Sequence, residues 1–348
     1  MHHPWSSTDL AAMNARVDAF FGAFITAKTP GGVVLVIANG QIVHQAAYGL
    51  ADIKHHTPLS VDHAFHLASI GKQLTALSIM MLAEQGLLDY DAPLSTYLTE
   101  LTNIAGTCTI RHMLQHTSGL PDYENGITDA LLAESDTPSN ADMVTVVRRK
   151  RTLLAEPGAV YSYCNVGYDL LAVVVERVSG QSFPQFLHTR IFNVLGMTRT
   201  FSLPNAHRRA HDLLALSYTG TSKKPELYAS DDLDGIYGSG SVYATIGDMA
   251  KYDAALATNT LVSPRTYQDA LAPAVLNDGS VAPYGFGLEL GHWHTEAYLA
   301  HSGSWLGFRG DYVRFPQRRF STLVLLNRDY DYPDEPRIAL QVAKLYLA

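Results

Sequence analysis

Two cysteines, Cys108 and Cys164, are all that 348 residues contain. That is too few for a disulfide framework, and a chain this long can build a core without one. Apolar runs are short. The longest, around residues 77–82, sits inside an amphipathic pattern, so no segment is expected to span a bilayer. The opening Met1-His2-His3-Pro4-Trp5 has no apolar stretch behind it, so no signal peptide is expected in this chain. Localisation stays open between the cytoplasm and the mature form of an exported protein. Positive charge is scarce: 25 Lys and Arg stand against 33 Asp and Glu, a net charge of -8. An acidic surface repels phosphate, so nucleic acid is not an expected partner. The one basic run, Arg148-Arg149-Lys150-Arg151, reads as a solvated helix end. Low-complexity tracts and fixed-period repeats are missing, which excludes solenoids and propellers.

Common hydrolase signatures are missing too. No Gly-x-Ser-x-Gly occurs, so there is no nucleophile elbow of the α/β-hydrolase kind. His112-Met113-Leu114-Gln115-His116 places two histidines at i and i+4, but the glutamate of His-Glu-x-x-His and a third ligand are not evident. Asp231, Asp232 and Asp234 lack the fixed spacing of a calcium loop. No metal and no cofactor is expected.

What the chain does have is 47% hydrophobic residues, enough for a large core. Apolar residues at helical spacing predict a helix over 9–28, stopped by Pro30-Gly31-Gly32. Two β-rich runs, 32–38 and 41–48, flank Asn39-Gly40, a strong hairpin signal because both turn positions need positive φ. A helix is predicted over 69–85, then more over 110–116, 140–151, 166–178, 183–195 and 247–257. Strands follow at 285–290, 297–301, 307–315 and 321–327, and a helix at 334–347 closes the chain. Strands at both ends with helices between predict an α/β fold of the α+β type. An antiparallel sheet flanked by helices is built from 1–64 and 235–348, and 65–234 form a mostly helical inserted domain, with the active site at their interface.

Ser69-Ile70-Gly71-Lys72 is the one Ser-x-x-Lys in the chain. Residues i and i+3 share a helix face, so hydroxyl and amine can meet. A serine hydroxyl needs a base to take its proton. A lysine of ordinary pKa, about 10.4, is protonated at neutral pH and cannot serve. Burial and the positive end of a helix both lower it. The same helix end offers free N–H groups to an oxyanion. Taken alone, the motif is equally an N-cap serine and a surface lysine.

Tyr163-Cys164-Asn165 gives Tyr-x-Asn in a loop before a helix, and His301-Ser302-Gly303 gives His-x-Gly at the end of a strand. Each alone reads as packing or as a turn. The ordered set resembles the serine β-lactamase and penicillin-binding-protein superfamily. His116-Thr117-Ser118-Gly119-Leu120-Pro121, Asn165-x-Gly167-Tyr168-x-Leu170-Leu171 and Gly238-Ser239-Gly240-Ser241-Val242-Tyr243 are similar to stretches of its class C-like branch. That branch holds class C β-lactamases, D-amino-acid peptidases and amidases, and family VIII esterases. The resemblance covers residues 31–327 and implies a β-lactamase/transpeptidase-like fold.

It also implies roles. Ser69 attacks an acyl carbon. Lys72 and Tyr163 shuttle its proton to the leaving group, and Tyr163 later activates water, for which flanking cations must lower its pKa. Asn165 steadies Lys72 or binds substrate, as do His301 and Gly303. The N–H groups of Ser69 and Ser304 form the oxyanion hole. Tyr123, in the second Tyr-x-Asn, and Arg309 are expected near the cleft. Cys164, where serine or alanine is more usual, is a small filler or a labelling site. The Glu-x-x-Leu-Asn motif of class A enzymes is absent. His301 stands where other members have lysine, a weaker attraction for a substrate carboxylate, which favours esters or amides over β-lactams. The expected partner is a small-molecule or peptide acyl substrate. A β-lactamase or DD-carboxypeptidase, or a slowly acylating sensor or scaffold without turnover, are the alternatives. Oligomeric state is not legible.

Overall fold

Asn39 and Gly40 take φ values of 51° and 77°, the two-residue hairpin turn the sequence predicts. The computed structural model describes residues 5–150, 152–202, 213–228, 232–333 and 337–348. Arg151 of the basic run, Asp231, the first four residues of the chain and 334–336 of the predicted closing helix lie outside the described residues.

Helix α1 (Ser7–Gly22) begins at Ser6, whose side chain accepts from the Asp9 N–H while Asp9 answers with its carboxylate. It stops short of the predicted residue 28, and Thr26 to Thr29 form a hydroxyl-bonded turn instead. Strands β1 (Gly32–Ala38) and β2 (Gln41–Tyr48) follow. Helix α2 (Lys72–Glu84) is preceded by a separate 3-10 turn, Ala68–Gly71, so Lys72 rather than Ser69 opens the α-helix. The predicted segment 110–116 is helical over Ile110–Leu114 and ends where His116 turns left-handed, φ 57°. After the helix Asn140–Arg149 comes α3 (Asn165–Ser179), and later α4 (Ile246–Thr258). The predicted strand 285–290 is displaced: β3 spans Glu289–Trp293. Gly287, at φ 69°, passes so close to α2 that a Cβ would lie 2.9 Å from the Lys72 carbonyl oxygen. That close, left-handed passage is incompatible with a strand. Strands β4 (Glu296–Trp305), β5 (Phe308–Phe315) and β6 (Phe320–Leu326) and helix α5 (Ile338–Leu347) complete the frame.

The six strands form one antiparallel sheet in the order β3-β4-β5-β6-β1-β2. The first hairpin thus pairs with the last strand, and both chain ends build the same sheet. Side chains alternate between two cores. Val33, Leu35 and Ile37 face the helical middle of the chain, with α2 and α3. Val34, Val36 and Ala38 face α1 and α5. Both faces being covered, β1 and β6 are buried along their whole length, each large aliphatic side chain contributing about 1.5–3 kcal/mol of burial. No helix among the described residues is long and apolar enough to cross a membrane.

Candidate active site

Strand β4 pairs with β3 over Glu296–Ala300 and with β5 over Leu299–Trp305. Beyond Ala300 the edge facing away from β5 has no strand partner among the described residues, and the turn carrying Ser69 packs against it. Gly303 makes this approach feasible. A Cβ there would sit 2.4 Å from the Leu67 carbonyl oxygen and 3.2 Å from the Ser69 nitrogen. Ala68 takes a left-handed φ of 47°, uncommon for a residue with a Cβ. Its N–H donates to His66 Nδ1 at 2.9 Å. Ser69 is left half-buried at the cleft floor.

Lys72 is fully buried. Its Nζ donates to three acceptors: Ser69 Oγ at 3.2 Å, Asn165 Oδ1 at 2.7 Å and the Ser239 carbonyl at 2.9 Å. Burial drives its pKa below that of an ordinary lysine, while the carboxylates of Asp169 and Asp122 resist the shift. Asp122 does a second job. One of its oxygens accepts the backbone N–H of Asn165 and of Val166, capping α3, and the other accepts Asn165 Nδ2 at 3.0 Å. That fixes the amide so that Oδ1 faces Lys72. Asp169, also fully buried, accepts from the Tyr123 hydroxyl at 2.8 Å and the Ser239 N–H at 2.9 Å. Burial raises its pKa, and those two donors oppose the rise. Asp122 and Asp169 were not picked out by motif reading, and Ser239 was read only as part of the Gly238–Tyr243 stretch, not as a site residue.

A proton inventory follows. Asn165 Oδ1 and the Ser239 carbonyl can only accept. A neutral Lys72 keeps two protons for them and turns its lone pair to its third partner, Ser69. Ser69 is therefore the donor available to a neutral Lys72.

Tyr163 lines the cleft with 37% of its surface exposed, and Lys72 Nζ lies 4.8 Å from its ring centroid. The expected lowering of its pKa does not occur. Partial burial pushes the phenol up, and the Ser69 hydroxyl offsets this only in part. At rest Tyr163 is a neutral phenol, suited to carry a proton rather than to take one first. Cys164 is 3% exposed with its thiol pushed up by burial, a filler between Tyr163 and Asn165. Tyr123 lines the same cavity, but its hydroxyl is committed to Asp169.

His301 departs from expectation. It is 2% exposed and does not line the cleft. Nδ1 meets the Ser302 carbonyl at 2.6 Å and Nε2 meets the Tyr284 hydroxyl at 2.8 Å. A carbonyl can only accept, so Nδ1 carries the proton and Nε2 accepts. Burial pushes the pKa down to about 4. The imidazole is thus neutral and used up inside the protein, and offers substrate neither charge nor a hydrogen bond. Gly303 likewise serves close packing, not substrate contact. Ser302 and Ser304 are the exposed members of this stretch. Leu306 and Gly307 form a two-residue turn with φ 47° and 83°, so Trp305 and Phe308 are the hydrogen-bonded closing pair. Alternation then turns the Ser304 N–H away from β5, toward the open edge and the cleft. Arg309 donates to Ser304 Oγ and to Tyr332, and does not line the cleft.

The cleft is a cavity of about 340 Å³ with Ser69, Tyr163, Asn165 and Ser304 at its polar end and Leu233, Ile236 and Trp305 along its wall. No lysine or arginine lines it among the described residues. The histidine pair 112/116 does not converge on a metal position: His112 Nδ1 accepts the Thr109 N–H in its own helix cap, and His116 Nδ1 accepts that of Cys164.

These positions lie within a longer likeness. Residues 17–347 match the beta-lactamase family. Penicillin-binding protein 4* of Bacillus subtilis (strain 168) is 32% identical over 319 residues, 88% of this chain and 70% of that protein. A D-aminopeptidase of Brucella anthropi is 30% identical over 304 residues, 86% of this chain but 56% of that protein, so the chain spans little more than half of it. Among solved structures, the octameric penicillin-binding protein homologue from Pyrococcus abyssi superposes with a TM-score of 0.83 at 24% identity, covering 97% of this chain and 77% of that one. The penicillin-binding protein from Bacillus halodurans gives 0.78 at 24% identity, covering 96% and 98%. With the family match spanning residues 17–347 and a relative 32% identical over 88% of the chain, the chain belongs to the beta-lactamase family.

Proposed function

We propose that the protein is a serine hydrolase that works through an acyl-enzyme on esters, amides or D-amino-acid peptide bonds. The observation carrying this reading is the proton inventory at Lys72: once neutral, it can accept from Ser69 and from neither of its other partners. Ser69 Oγ bonds to the acyl carbon as the carbonyl π pair moves onto oxygen, and the Ser69 proton passes to Lys72. The N–H groups of Ser69 and Ser304 receive the oxyanion, each worth roughly 3 kcal/mol. As the tetrahedral centre collapses, Tyr163 gives its proton to the leaving group and is refilled from Lys72. Water then attacks the ester on Ser69, its proton returning through the same pair, and Ser69 leaves with a proton.

Leu233, Ile236 and Trp305 in the lining favour an acyl substrate with an apolar flank and no carboxylate. The sealed, neutral His301 offers a carboxylate no attraction. A D-amino-acid amide also lacks a carboxylate, and its α-ammonium meets no lysine or arginine among the described residues that line the cleft, in keeping with the D-aminopeptidase relative. The test is labelling by a fluorophosphonate, read by intact mass and peptide mapping. One adduct on Ser69, lost in Ser69→Ala, is expected, with multiple turnovers of short p-nitrophenyl esters or D-amino-acid anilides ahead of nitrocefin. A full-stoichiometry adduct in Ser69→Ala defeats the assignment. One equivalent released without turnover indicates a sensor instead.

A further inference from the structure

His116 is fully buried and holds a left-handed backbone, φ 57°. Its Nδ1 accepts the Cys164 N–H at 3.0 Å, so its proton sits on Nε2, and Nε2 has no hydrogen-bond partner. A buried unpaired donor is costly, and such costs persist where the group has another use. The ring makes close aromatic contacts: its centroid lies 4.2 Å from that of Tyr163 at 35°, 5.1 Å from Tyr168 and 4.5 Å from Tyr284. Tyr284 in turn holds His301.

We propose that His116 is a positioning residue for Tyr163, gripping both the chain, through the Cys164 N–H, and the phenol ring, through face contact. This rests on the proposed role of Tyr163 as proton carrier. Cys164 lies between Tyr163 and Asn165, so one hydrogen bond fixes the backbone that sets the phenol and the amide relative to Lys72. The ring contact fixes the remaining freedom, the swing of a phenol that has 37% of its surface open to the cleft. An imidazole suits the place because one flat group supplies both the acceptor and the apolar face.

Asparagine separates the two contributions. Its Oδ1 stands where His Nδ1 does, and it tolerates positive φ, so His116→Asn keeps the Cys164 bond and loses the ring. We expect a folded protein, Ser69 still labelled, KM nearly unchanged and kcat down about tenfold, the scale of a small misplacement. In a Tyr163→Phe background the same change should cost less than about twofold, since the two act as a unit. His116→Phe, with a ring but no acceptor, carries the same cycle should His116→Asn not fold. Wild-type kcat in the folded variant, or an equal loss in both backgrounds, overturns the proposal. If Tyr163→Phe itself leaves kcat intact, the proton-carrier reading fails first and takes this one with it. If Tyr163→Phe cripples the enzyme and the His116 variants do not, this inference alone fails.

Discussion

Lys72 is 0% exposed and His301 is 2% exposed, and both are nitrogen bases behind the same cleft, yet their surroundings differ in kind. Around Lys72 stand two carboxylates, Asp122 and Asp169, and three acceptors that each take one ammonium proton. His301 finds a carbonyl on one ring nitrogen and a phenol on the other. Glu289 pulls its pKa up, but burial, Lys72 and Arg337 outweigh it, and Glu289 is itself tied to Arg337. Burial alone would neutralise both. Two acids beside Lys72, against one acid tied to Arg337 beside His301, hold the Lys72 pKa closer to the neutral range while His301 stays neutral at neutral pH. Equal burial, then, does not give equal chemistry; the partners decide.

Removing Lys72 has the largest expected effect. Lys72→Ala and Tyr163→Phe should each lower kcat by about a hundred- to ten-thousandfold, the range of general acid–base help. The double variant should lose little more than either single one. Since the proposed mechanism needs Lys72 neutral, wild-type kcat should rise with pH along a limb below the ordinary lysine range. That limb should vanish in Lys72→Ala. Stopped-flow acylation of a p-nitrophenyl ester across pH measures both, and a pH limb unchanged in Lys72→Ala assigns it to another group.

Much of this was legible in the chain. Ser69 with Lys72 and Tyr163 with Asn165 are each legible as a short motif, and the fold brings the two motifs together across 93 positions; Asn39-Gly40 announced a hairpin by backbone sterics alone. The carboxylates behind them were not. Asp122 follows Pro121 and reads as a turn residue, while the amides it caps lie 43 positions away, beyond any local pattern. Asp169 left a trace: it falls at i+3 from Val166 and i−4 from Val173, on the apolar stripe of α3, and an acid on a buried stripe signals a partner. His301 was misread because its type was weighed and its neighbours could not be. Tyr284 lies before β3 and reaches the imidazole only through tertiary packing.

His301 has the opposite pH signature. Its folded pKa of about 4 lies below the ordinary 6.5. Between those values the unfolded chain binds a proton that the folded protein refuses, so stability is full above pH 6.5 and is lost as pH falls toward 4. The loss from this one group reaches about 3 kcal/mol. His301→Gln can keep both hydrogen bonds without titrating. Urea unfolding of the two proteins at pH 7 and pH 4.5 should show wild type losing more than the variant, and equal losses would mean that His301 is not held neutral. By the same reasoning, the ratio of kcat/KM for matched carboxylate-bearing and neutral esters should stay flat from about pH 5.5 to 8.

The smallest effect tests whether the acids near Lys72 act through charge or through their whole network. Tyr123→Phe deletes one donor to Asp169, keeps the ring that lines the cleft, and leaves all three Lys72 contacts in place. A hydrogen bond to a buried carboxylate is worth about 1.5–3 kcal/mol, so stability should fall by about that amount. The Ser239 N–H remains to hold Asp169, and through it the carbonyl that accepts from Lys72, so kcat should fall less than about tenfold. Thermal unfolding and steady-state kinetics on one ester give both numbers. A crippled kcat in Tyr123→Phe beside a healthy Tyr163→Phe would mean that the working tyrosine is Tyr123. Asp169, which accepts from the Tyr123 hydroxyl, would then be the reacting group's partner.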